Sequence, residues 1–446
     1  MKRRSFISTT LGASAFTIPG YAALHGTNPP KRYNIPDRNN SFKQIVGITL
    51  QEHRDELNSR LFDEFLPFWD QGGYDKEYGG FICNLNEEGI PVDDQKFIWY
   101  QGRAIWVYAF LYNNFSQNPA YLEIAKKSRD FMVRKMYLGK GRWAELVSRN
   151  GNLIKGVEPD SEIYGELFAA NGLAEYFKIS GNKEDIRLAR ESVLAAVKAY
   201  DSPYYLKGTA YEGYRIQGHS FILIRLLTQL LRYHQDEMLE ELLDLHVKML
   251  MEKFYHPLYR ISNERLNHDY SRIKSEEGYT YLGHSLEARW MLMDLALQKN
   301  DQVLYEWAKS DYKRYLEMGW DHIFGGFADE NYYVFGNENH PAGPDYNIKT
   351  MWAHLDTMIG LMIIFENSGE PWSIEWYKRI WDYVKETFCR GVPAWEQAVN
   401  RLGDPRRREM EGINPMRRGN FHQPRFLMMN MLSLDRMIKG DSSRHG

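Results

Sequence analysis

The sequence has little cysteine: Cys83 and Cys389 are the only two in 446 residues, and no CxxC pair occurs. A zinc site built on cysteines, or a framework of disulfides, needs several closely spaced cysteines. Neither is therefore indicated. One disulfide between the two cysteines is the alternative that stays open.

The sequence also lacks a long apolar run and an excess of charge of one sign. No segment after the N-terminus has 18 or more consecutive apolar residues, so no membrane span is predicted and the mature chain is expected to be soluble. The 56 basic and 59 acidic residues give a net charge of −3. This balance does not favour a nucleic-acid partner, which would need a basic surface.

The N-terminus departs from this even distribution of charge. It reads MKRRSFISTTLGASAFTIPGYAALHG, with a basic cluster at Lys2, Arg3 and Arg4 and then a weakly apolar stretch. The two arginines and the Ser-Phe-Ile that follows fit the twin-arginine export pattern. Residues 1–30 are thus predicted to be an export signal and a disordered leader, with a periplasmic or extracellular location for the protein. A disordered basic tail is the alternative.

Aromatic residues are abundant, at 14% of the chain, with 12 Trp and 30 Tyr. Any single one is expected to pack in the core. Trp and Tyr also line sugar-binding sites, because their ring faces stack on the C–H faces of a pyranose. The composition is therefore compatible with a sugar site and does not by itself predict one.

Apolar residues recur at the spacing of an amphipathic α-helix through most of the chain after about residue 42. The predicted helices come in pairs joined by short polar turns such as SQNP, SGNK, QKND and SGEP. About twelve helices are expected, over Phe42–Trp69, Gly102–Phe115, Pro119–Met136, Ser161–Ile179, Lys183–Tyr200, Gly218–Tyr233, Asp236–Lys253, His284–Lys299, Gln302–Met318, Met351–Asn367, Trp372–Phe388 and Phe421–Ile438.

Longer loops separate one helix pair from the next, and two of them share a pattern. Asp75–Phe81 and Asp321–Phe327 both read D-x-x-[aromatic]-G-G-F. The glycines allow the tight turn of a short hairpin. Repeated helix pairs with hairpin loops predict an all-α (α/α)6 barrel, a toroid of six helical hairpins with short β-hairpin loops at its pocket end. No linker interrupts the chain, so residues 40–440 are expected to form one domain.

Polar residues at predicted helix starts, in otherwise apolar surroundings, are the candidates for chemistry. Arg103 follows Gly102 near one helix start, with Trp99 before it and Trp106 one turn later. If its guanidinium points into the barrel, it must meet another charge or a substrate oxygen.

His284 lies at a second helix start, with Glu287 on the same helix face three residues later. Capping alone would favour Ser, Thr, Asp or Asn at this place. A carboxylate within reach of a histidine fixes its tautomer and raises its basicity. A structural histidine is the alternative for this stretch.

Two further helix starts carry similar residues. His422 precedes Pro424, a residue that the first turn of a helix tolerates, and Arg425 follows. Trp352 and Asp356 are four residues apart and share a helix face, whereas the histidine between them points elsewhere. We interpret this last stretch as packing and pocket shaping.

Two histidines and an arginine at helix starts suit one kind of chemistry. Histidine can take or give a proton at neutral pH, so one can remove a proton from one face of a planar intermediate while the other returns a proton to the opposite face. An arginine can stabilise the negative oxygen that develops between the two steps. The set suits inversion at a carbon next to a carbonyl and needs neither a metal nor a redox cofactor.

The stretches that carry these residues resemble the N-acylglucosamine 2-epimerase family, which includes cellobiose 2-epimerases and relatives that isomerise aldoses to ketoses. KFIWYQGRAIW is similar to the family's W-x-Q-G-R-x-x-W, GHSLEARW to its G-H-x-[IL]-E-A-x-W, and NFHQPRFLM to its F-H-x-P-R-x-L. KTMWAHLDTMIGL is similar to K-x-x-W-x-H-x-E-A-[ML], with Asp356 in place of the usual Glu. The matches run in order from about Gly72 to Met429 and cover most of the chain.

The resemblance implies an (α/α)6 barrel with a small-molecule sugar as its partner and no cofactor. It implies that His284 and His422 are the acid/base pair, that Arg103 contacts the O1/O5 end of the sugar, and that Glu287 supports His284. Family members are often dimers, so a homodimer is a further expectation. The other residues expected to bind substrate are Glu166, His219, Trp99, Trp106, Lys349, Trp352, Asp356 and Arg425.

Two departures from the family pattern bear on the site. Asp356 is one methylene shorter than Glu, so its contact in the pocket is expected to shift. The segment before His422 is long and basic, with Arg406, Arg407 and Arg408. We interpret these arginines as a solvated loop, with a preference for an acidic sugar as the alternative.

Three other functions stay open at this point. The same residues could run an aldose–ketose isomerase, if the proton returns to C1 of a sugar with a free C2 hydroxyl. Glycoside hydrolases and lyases on (α/α)6 barrels use paired carboxylates, for which Asp160, Glu162 and Glu166 are candidates. A non-catalytic sugar-binding protein would keep the aromatic residues without needing both histidines.

Overall fold

The structure is a computed structural model that describes residues 44–328, 332–333, 347–405 and 418–440. The predicted export signal at residues 1–30 and the arginine cluster at 406–408 lie outside the described residues. The α-helices are α1 (Leu50–Ser59), α2 (Leu66–Phe68), α3 (Ile98–Asn114), α4 (Pro119–Lys135), α5 (Tyr164–Ser180), α6 (Lys183–Tyr200), α7 (Gln217–Leu231), α8 (Glu237–Lys248), α9 (Leu282–Lys299), α10 (Gln302–Ser310), α11 (Tyr312–Gly319), α12 (Met351–Ser368), α13 (Pro371–Val384) and α14 (His422–Lys439).

The strands are two or three residues long. They are β1 (Gln44–Ile45), β2 (Ile48–Thr49), β3 (Lys96–Phe97), β4 (Tyr137–Gly139), β5 (Arg142–Trp143), β6 (Leu146–Val147), β7 (Leu153–Lys155), β8 (Arg215–Ile216), β9 (Tyr255–His256), β10 (Ile261–Ser262), β11 (Arg265–Leu266), β12 (Tyr279–Thr280), β13 (Tyr332–Tyr333), β14 (Lys349–Thr350) and β15 (Ala398–Val399). All their pairings are antiparallel.

The helices form two concentric rings. Within the described residues the inner ring contains α3, α5, α7, α9, α12 and α14, each packed on the next, and α14 contacts α3 to close the circle. The outer helices α4, α6, α8, α10 and α13 each pack on the inner helix that precedes them, and α1 packs on α14. The N-terminal helix therefore completes the sixth hairpin. The predicted (α/α)6 barrel is confirmed.

Burial explains why the two rings have different sequences. The inner helices are buried on nearly every side, so they are apolar around most of their circumference, as in Met351–Ser368. The outer helices bury one stripe and expose the other face, as in Glu237–Lys248, where only four residues are buried. The amphipathic spacing of the sequence is therefore clearest in the outer ring.

Helix capping also separates the rings. Side chains of Thr49, Asn118, Asn182, Asp236 and Asp301 accept the first backbone N–H groups of the outer helices that they precede. Among the described residues, none of the six inner helices begins with such a side-chain cap. The positive ends of six helix dipoles are thus gathered at one end of the barrel.

Two predicted helices differ from those observed. The segment Phe42–Trp69 becomes helical only at Leu50, because Val46 and Gly47 take positive φ values of 54° and 88° and turn β1 back on β2. The segment Gln302–Met318 is divided at Asp311 into α10 and α11.

Strand pairs with a shared register precede three inner helices. Lys96 faces Val147, Arg215 faces Leu266 and Lys349 faces Val399. The first residue beyond each strand then donates its N–H to the carbonyl of the residue that precedes the opposite strand, in the pairs Ile98–Glu145, Gln217–Glu264 and Met351–Gln397. The barrel is therefore a threefold pseudo-repeat of four-helix units, a larger repeat than the helix pair that the sequence predicted.

Two of these units contain the same buried lysine clasp. The Lys96 ammonium donates to Asp75, to the Gly79 carbonyl and to the Arg149 carbonyl. Lys349 donates equivalently to Asp321 (3.1 Å), to the Gly325 carbonyl (2.5 Å) and to the Arg401 carbonyl (3.1 Å). Lys349 is fully buried and bonded to the protein itself, and its expected sugar contact stays a prediction. Its role is to hold the D-x-x-[aromatic]-G-G-F hairpin against the barrel.

Two absences concern the described residues only. Cys83 and Cys389 are both buried and are not bonded to each other, so the disulfide left open by the sequence does not form. Across the described ranges no helix has the length and apolar character needed to cross a membrane.

Candidate active site

The uncapped ends of the inner helices bring most of the predicted site residues together. Each lies in the first two turns of an inner helix: Arg103 in α3, Glu166 in α5, His219 in α7, His284 and Glu287 in α9, Trp352 and Asp356 in α12, and His422 and Arg425 in α14. The indole ring of Trp352 is 5.4 Å from the ring of His284 and 5.7 Å from that of His422, measured between centroids. The two histidines therefore flank one aromatic side chain at the pocket end.

His422 is held by a buried carboxylate. Its Nδ1 lies 2.7 Å from Asp356 Oδ2 and 3.1 Å from Arg425 Nη2. Because Arg425 can only donate and Asp356 can only accept, the bond to Asp356 is the hydrogen bond and Nδ1 carries the proton. The basic nitrogen of His422 is then Nε2. Burial lowers the pKa of His422 to about 4, although Asp356 acts in the opposite direction, so the ring is neutral at pH 7.

His284 has a corresponding partner that the sequence did not suggest. Its Nδ1 lies 2.8 Å from Oε1 of Glu264, a buried residue directly before β11. The carboxylate places the proton on Nδ1 and makes Nε2 the nitrogen for proton transfer, as in His422. Gly218 in α7 leaves room for the ring, because a Cβ there would lie 3.2 Å from His284 Cε1.

Arg425 links the two halves of the site. Its Nη2 donates to Glu287 Oε1 at 2.8 Å and to Asp356 Oδ1 at 2.5 Å. Burial would raise the pKa of Asp356, but Arg425 and His422 outweigh it and hold that pKa below its ordinary value. Burial and the neighbouring Asp356 raise the pKa of Glu287. One carboxylate oxygen each of Glu287 and Asp356 and one ring nitrogen of His422 lie within 4.8 Å of one another, a spacing that metal ligands also have. The guanidinium of Arg425 supplies positive charge to this cluster.

Arg103 has no carboxylate partner among the described residues. Its guanidinium carbon lies 3.9 Å from the ring centroid of Phe168 and 5.2 Å from that of Phe421. Its Nε is buried and makes no hydrogen bond within the described part of the chain. Burial lowers the pKa of Arg103 to about 10, which leaves the group charged at neutral pH. A half-buried cation that is flanked by aromatic faces and has an unbonded Nε is suited to receive a negative oxygen.

A cavity of about 580 Å³ adjoins this centre and is walled by Trp99, Glu162 and Glu166. Trp99 also lies 5.7 Å from the Arg103 guanidinium, so it joins the cavity to the centre. Burial raises the pKa of Glu166 to about 7. His219 lies behind this wall, where burial lowers its pKa to about 3 and Tyr205 Oη is 3.2 Å from its Nδ1.

The profile of the N-acylglucosamine 2-epimerase (GlcNAc 2-epimerase) family matches residues 79–414, more than half of the chain. The chain belongs to the N-acylglucosamine 2-epimerase family. The N-acylglucosamine 2-epimerase of Rattus norvegicus is 24% identical over 395 residues, which cover 85% of this chain and 91% of the rat protein.

Solved structures show the same fold. The cellobiose 2-epimerase of Bacillus thermoamylovorans B4167 superposes with a TM-score of 0.72 at 19% identity, covering 86% of this chain and 99% of the other. A D-mannose isomerase superposes with a TM-score of 0.68 at 14% identity, covering 87% and 97%. The predicted family is thus confirmed, and with it the class of enzyme, an isomerase.

Two residues expected from the family pattern have partners within the protein. Trp106 is buried in the core, where its indole N–H donates to Gln229 Oε1 at 3.0 Å, so we assign it to packing. The carboxylate bonded to His284 is Glu264, whereas Glu287, predicted to support that histidine, bonds to Arg425.

The structure also shows which groups the short side chain of Asp356 contacts. The shorter side chain still reaches His422 at 2.7 Å, and Trp290 Nε1 and Arg425 Nη2 hold its other oxygen. Asp356 therefore contacts His422 despite being one methylene shorter than the glutamate of the pattern with which the sequence was compared.

Proposed function

We propose that this enzyme inverts C2 of a ring-opened aldose or N-acyl-hexosamine by proton transfer between two histidines. The observation that carries the proposal is the matched pair of histidine–carboxylate contacts, His422 with Asp356 at 2.7 Å and His284 with Glu264 at 2.8 Å. Each carboxylate orients its histidine with Nε2 as the transferring nitrogen. The names of the rat and Bacillus relatives support a C2 epimerase.

The proposed reaction begins with the open-chain aldehyde, whose carbonyl makes the C2 proton acidic. One histidine Nε2 takes that proton, the C2–H electron pair forms the C1=C2 bond, and the carbonyl oxygen becomes negative. The other histidine, protonated, gives its proton to the opposite face of C2, and the C1 carbonyl forms again. The net change is inversion at C2, with one histidine left protonated and the other neutral until solvent resets them.

Two features would stabilise the intermediate. Arg103 is a half-buried cation without a carboxylate in ion-pair distance among the described residues, so it can receive the negative O1 of the enediolate. The uncapped N-termini of the inner helices add positive potential at the same end of the barrel. Both interactions stabilise the intermediate more than the bound aldehyde, because the negative charge on O1 develops only during the reaction. Such a difference in stabilisation is the requirement for catalysis.

Aldose–ketose isomerisation is the second candidate. It uses the same residues but returns the carbon-bound proton to C1 of a sugar with a free C2 hydroxyl, whose O2–H proton passes to O1 as the C2 ketone forms. The structural similarity to a D-mannose isomerase favours keeping it. An N-acyl group on C2 would close this route, because no C2 hydroxyl is then present to become the ketone.

The test follows the C2 proton. The purified enzyme is incubated in D2O with N-acetylglucosamine, N-acetylmannosamine, glucose, mannose and cellobiose, and proton NMR records the C2–H signal. Loss of the signal with a C2 epimer appearing is the expected result, and a ketose product would identify the isomerase. No exchange on any sugar by a folded sample would overturn the proposal and favour a hydrolase, lyase or sugar-binding protein.

A further inference from the structure

Trp290 differs from the other fully buried tryptophans in the group that its indole N–H contacts. Among the described residues six tryptophans are fully buried. Three of them leave the indole N–H without a hydrogen-bond partner in the described part of the chain, namely Trp69, Trp381 and Trp395. Packing in this barrel therefore does not require a partner for a buried indole N–H. Trp290 nevertheless donates to a carboxylate oxygen, Asp356 Oδ1, at 3.2 Å.

The two oxygens of Asp356 hold different groups. Oδ2 accepts from His422 Nδ1 at 2.7 Å, whereas Oδ1 accepts from Trp290 Nε1 at 3.2 Å and from Arg425 Nη2 at 2.5 Å. The carboxylate belongs to α12, the indole to α9 and the imidazole to α14. Rotation of an aspartate carboxylate about its Cβ–Cγ bond is soft. Donors from two further helices, one to each oxygen, fix that rotation.

Arg425 alone is poorly placed to fix the carboxylate. Its Nη2 lies 3.1 Å from His422 Nδ1 and also donates to Glu287 Oε1 at 2.8 Å. Arginine readily pairs with both oxygens of a carboxylate, so a rotation of Asp356 toward the guanidinium would compete with the bond to His422. Trp290 opposes this rotation, because its N–H holds Oδ1 and the guanidinium carbon of Arg425 lies over its ring, 5.2 Å from the centroid.

We propose that Trp290 is a positioning residue for proton transfer by His422. By holding Asp356 Oδ1 it keeps Oδ2 on His422 Nδ1, so that the proton stays on Nδ1 and Nε2 stays free to take a proton. Trp290 is fully buried and cannot touch a substrate, so it acts on turnover and not on substrate binding. The carboxylate partner of His284 is Glu264, so only one of the two proton transfers depends on Trp290. This role rests on the proposed two-histidine function.

The experiment compares Trp290→Phe with wild type on each pure epimer of the responding sugar. NMR in D2O measures C2–H exchange and conversion into the other epimer separately. Misplacing a catalytic group costs on the order of 10- to 100-fold in rate, so interconversion should fall by this factor at unchanged KM. Exchange should fall by the same factor for the epimer whose C2 proton His422 takes. Exchange of the other epimer, whose proton His284 takes, should stay at the wild-type rate.

Trp381→Phe is the matched control. It removes the same atoms from a fully buried indole that also has a guanidinium over its ring, that of Arg60 at 5.5 Å, but its N–H makes no hydrogen bond within the described residues. Both exchange rates should be unchanged in this variant. Wild-type interconversion by Trp290→Phe, equal slowing of both epimers, or an equal loss in Trp381→Phe would overturn the inference. If Trp290→Phe does not fold, benzothienylalanine at position 290 replaces only the N–H by sulfur, and the same results are expected.

A measurement without turnover separates this inference from the proposed function. If wild type exchanges the C2 proton of no sugar, the proposed function fails, and NMR of the protein with ¹⁵N-labelled histidine still reports the tautomer of His422. Its signals are those missing in His422→Asn. The proton should lie on Nδ1 in wild type and in Trp381→Phe, whereas Trp290→Phe should populate both neutral tautomers. An unchanged tautomer in Trp290→Phe would overturn the inference.

Discussion

Replacing Asp356 by Asn should disable His422 as a base while leaving the barrel folded. The amide oxygen of Asn can still accept from Trp290 and Arg425, which bond to Oδ1 in the native protein. The amide NH2 then faces His422 Nδ1, which must become the acceptor. The proton moves to Nε2, and the nitrogen that should take the C2 proton is blocked.

The magnitude follows from the tautomer and from the buried ion pair. Holding a catalytic histidine in the wrong tautomer costs about 10³- to 10⁴-fold in kcat. Removing one partner of a buried ion pair costs about 3–5 kcal/mol when the other charge is left alone. Arg425 keeps Glu287 at 2.8 Å, so we expect a smaller loss of stability, about 1–3 kcal/mol.

The assay is the rate of C2–H exchange and epimer formation by NMR, with unfolding in urea measured on the same samples. Asp294→Asn is the matched control: Asp294 pairs with Arg225 at 2.5 Å in the same barrel but does not contact either histidine. It should lose stability and keep its kcat. Asp356→Asn with more than a tenth of wild-type kcat, or Asp294→Asn with an equal loss, would refute the reasoning.

Three further predictions test other parts of the site and fold. Glu264→Gln should lower kcat by about 100-fold or more, because Glu264 orients His284. The control Glu276→Gln neutralises a carboxylate in the same loop and should keep the wild-type kcat. Equal kcat values in the two variants would contradict the assignment. Lys349→Met should lower the free energy of unfolding by about 3 kcal/mol or more without raising KM. A raised KM in the folded enzyme would instead support a contact of Lys349 with the sugar. Burial lowers the pKa of His354 to about 3, so the unfolded chain takes up this proton first and the contribution of His354 to stability falls below pH 6.5. That contribution is smaller by about 1.4 kcal/mol at pH 5.5, so the difference between the unfolding free energies measured in urea at pH 7.5 and 5.5 should change by this amount in His354→Gln; an unchanged difference would disprove the linkage.

The choice of glutamine at position 354 comes from the pseudo-repeat. Gln101 occupies the equivalent place in α3, where its side chain accepts from Phe81 N at 2.8 Å and donates to the Phe97 carbonyl at 3.2 Å. His354 accepts from Phe327 N at 3.1 Å and bonds to the Thr350 carbonyl at 2.7 Å. A glutamine can therefore replace both bonds of the histidine without its titration.

The sequence predicts the barrel well because helix periodicity is local. Residues three and four apart must share a face, and paired helices with short turns leave few ways to arrange the chain. The sequence also indicates where the inner helices begin. His284, His422 and Arg103 lie near those helix starts, at one end of the barrel. What the pattern could not give is the sequence-distant partner of each side chain.

Glu264 shows why such partners escape sequence reasoning. It precedes His284 by 20 residues and lies before a two-residue strand, so no helix periodicity connects the two. Helix spacing favoured Glu287, three residues from His284, as the partner of that histidine. The Glu287 carboxylate bonds to Arg425 of α14. Alignment of the three strand pairs would have indicated Glu264, because it occupies the same register as Glu145 and Gln397.

The partner of Lys349 escapes sequence reasoning for a related reason. Its place in a family-like stretch favoured a sugar contact, whereas its bond to Asp321 repeats the bond of Lys96 to Asp75. The repeated D-x-x-[aromatic]-G-G-F loops were visible in the sequence. The lysine that clasps each loop follows 21 residues after Asp75 and 28 after Asp321, and this unequal spacing hides the equivalence.

The central claim is that each histidine serves one face of C2, and single variants in D2O test it most directly. His284→Asn and His422→Asn are each incubated with either pure epimer of the responding sugar, and NMR follows C2–H exchange and epimer formation separately. The account predicts that neither variant interconverts the epimers, while each still exchanges the C2 proton of one epimer only, and not the same one. Interconversion above a tenth of the wild-type rate in either variant, or exchange of the same epimer by both, would contradict it.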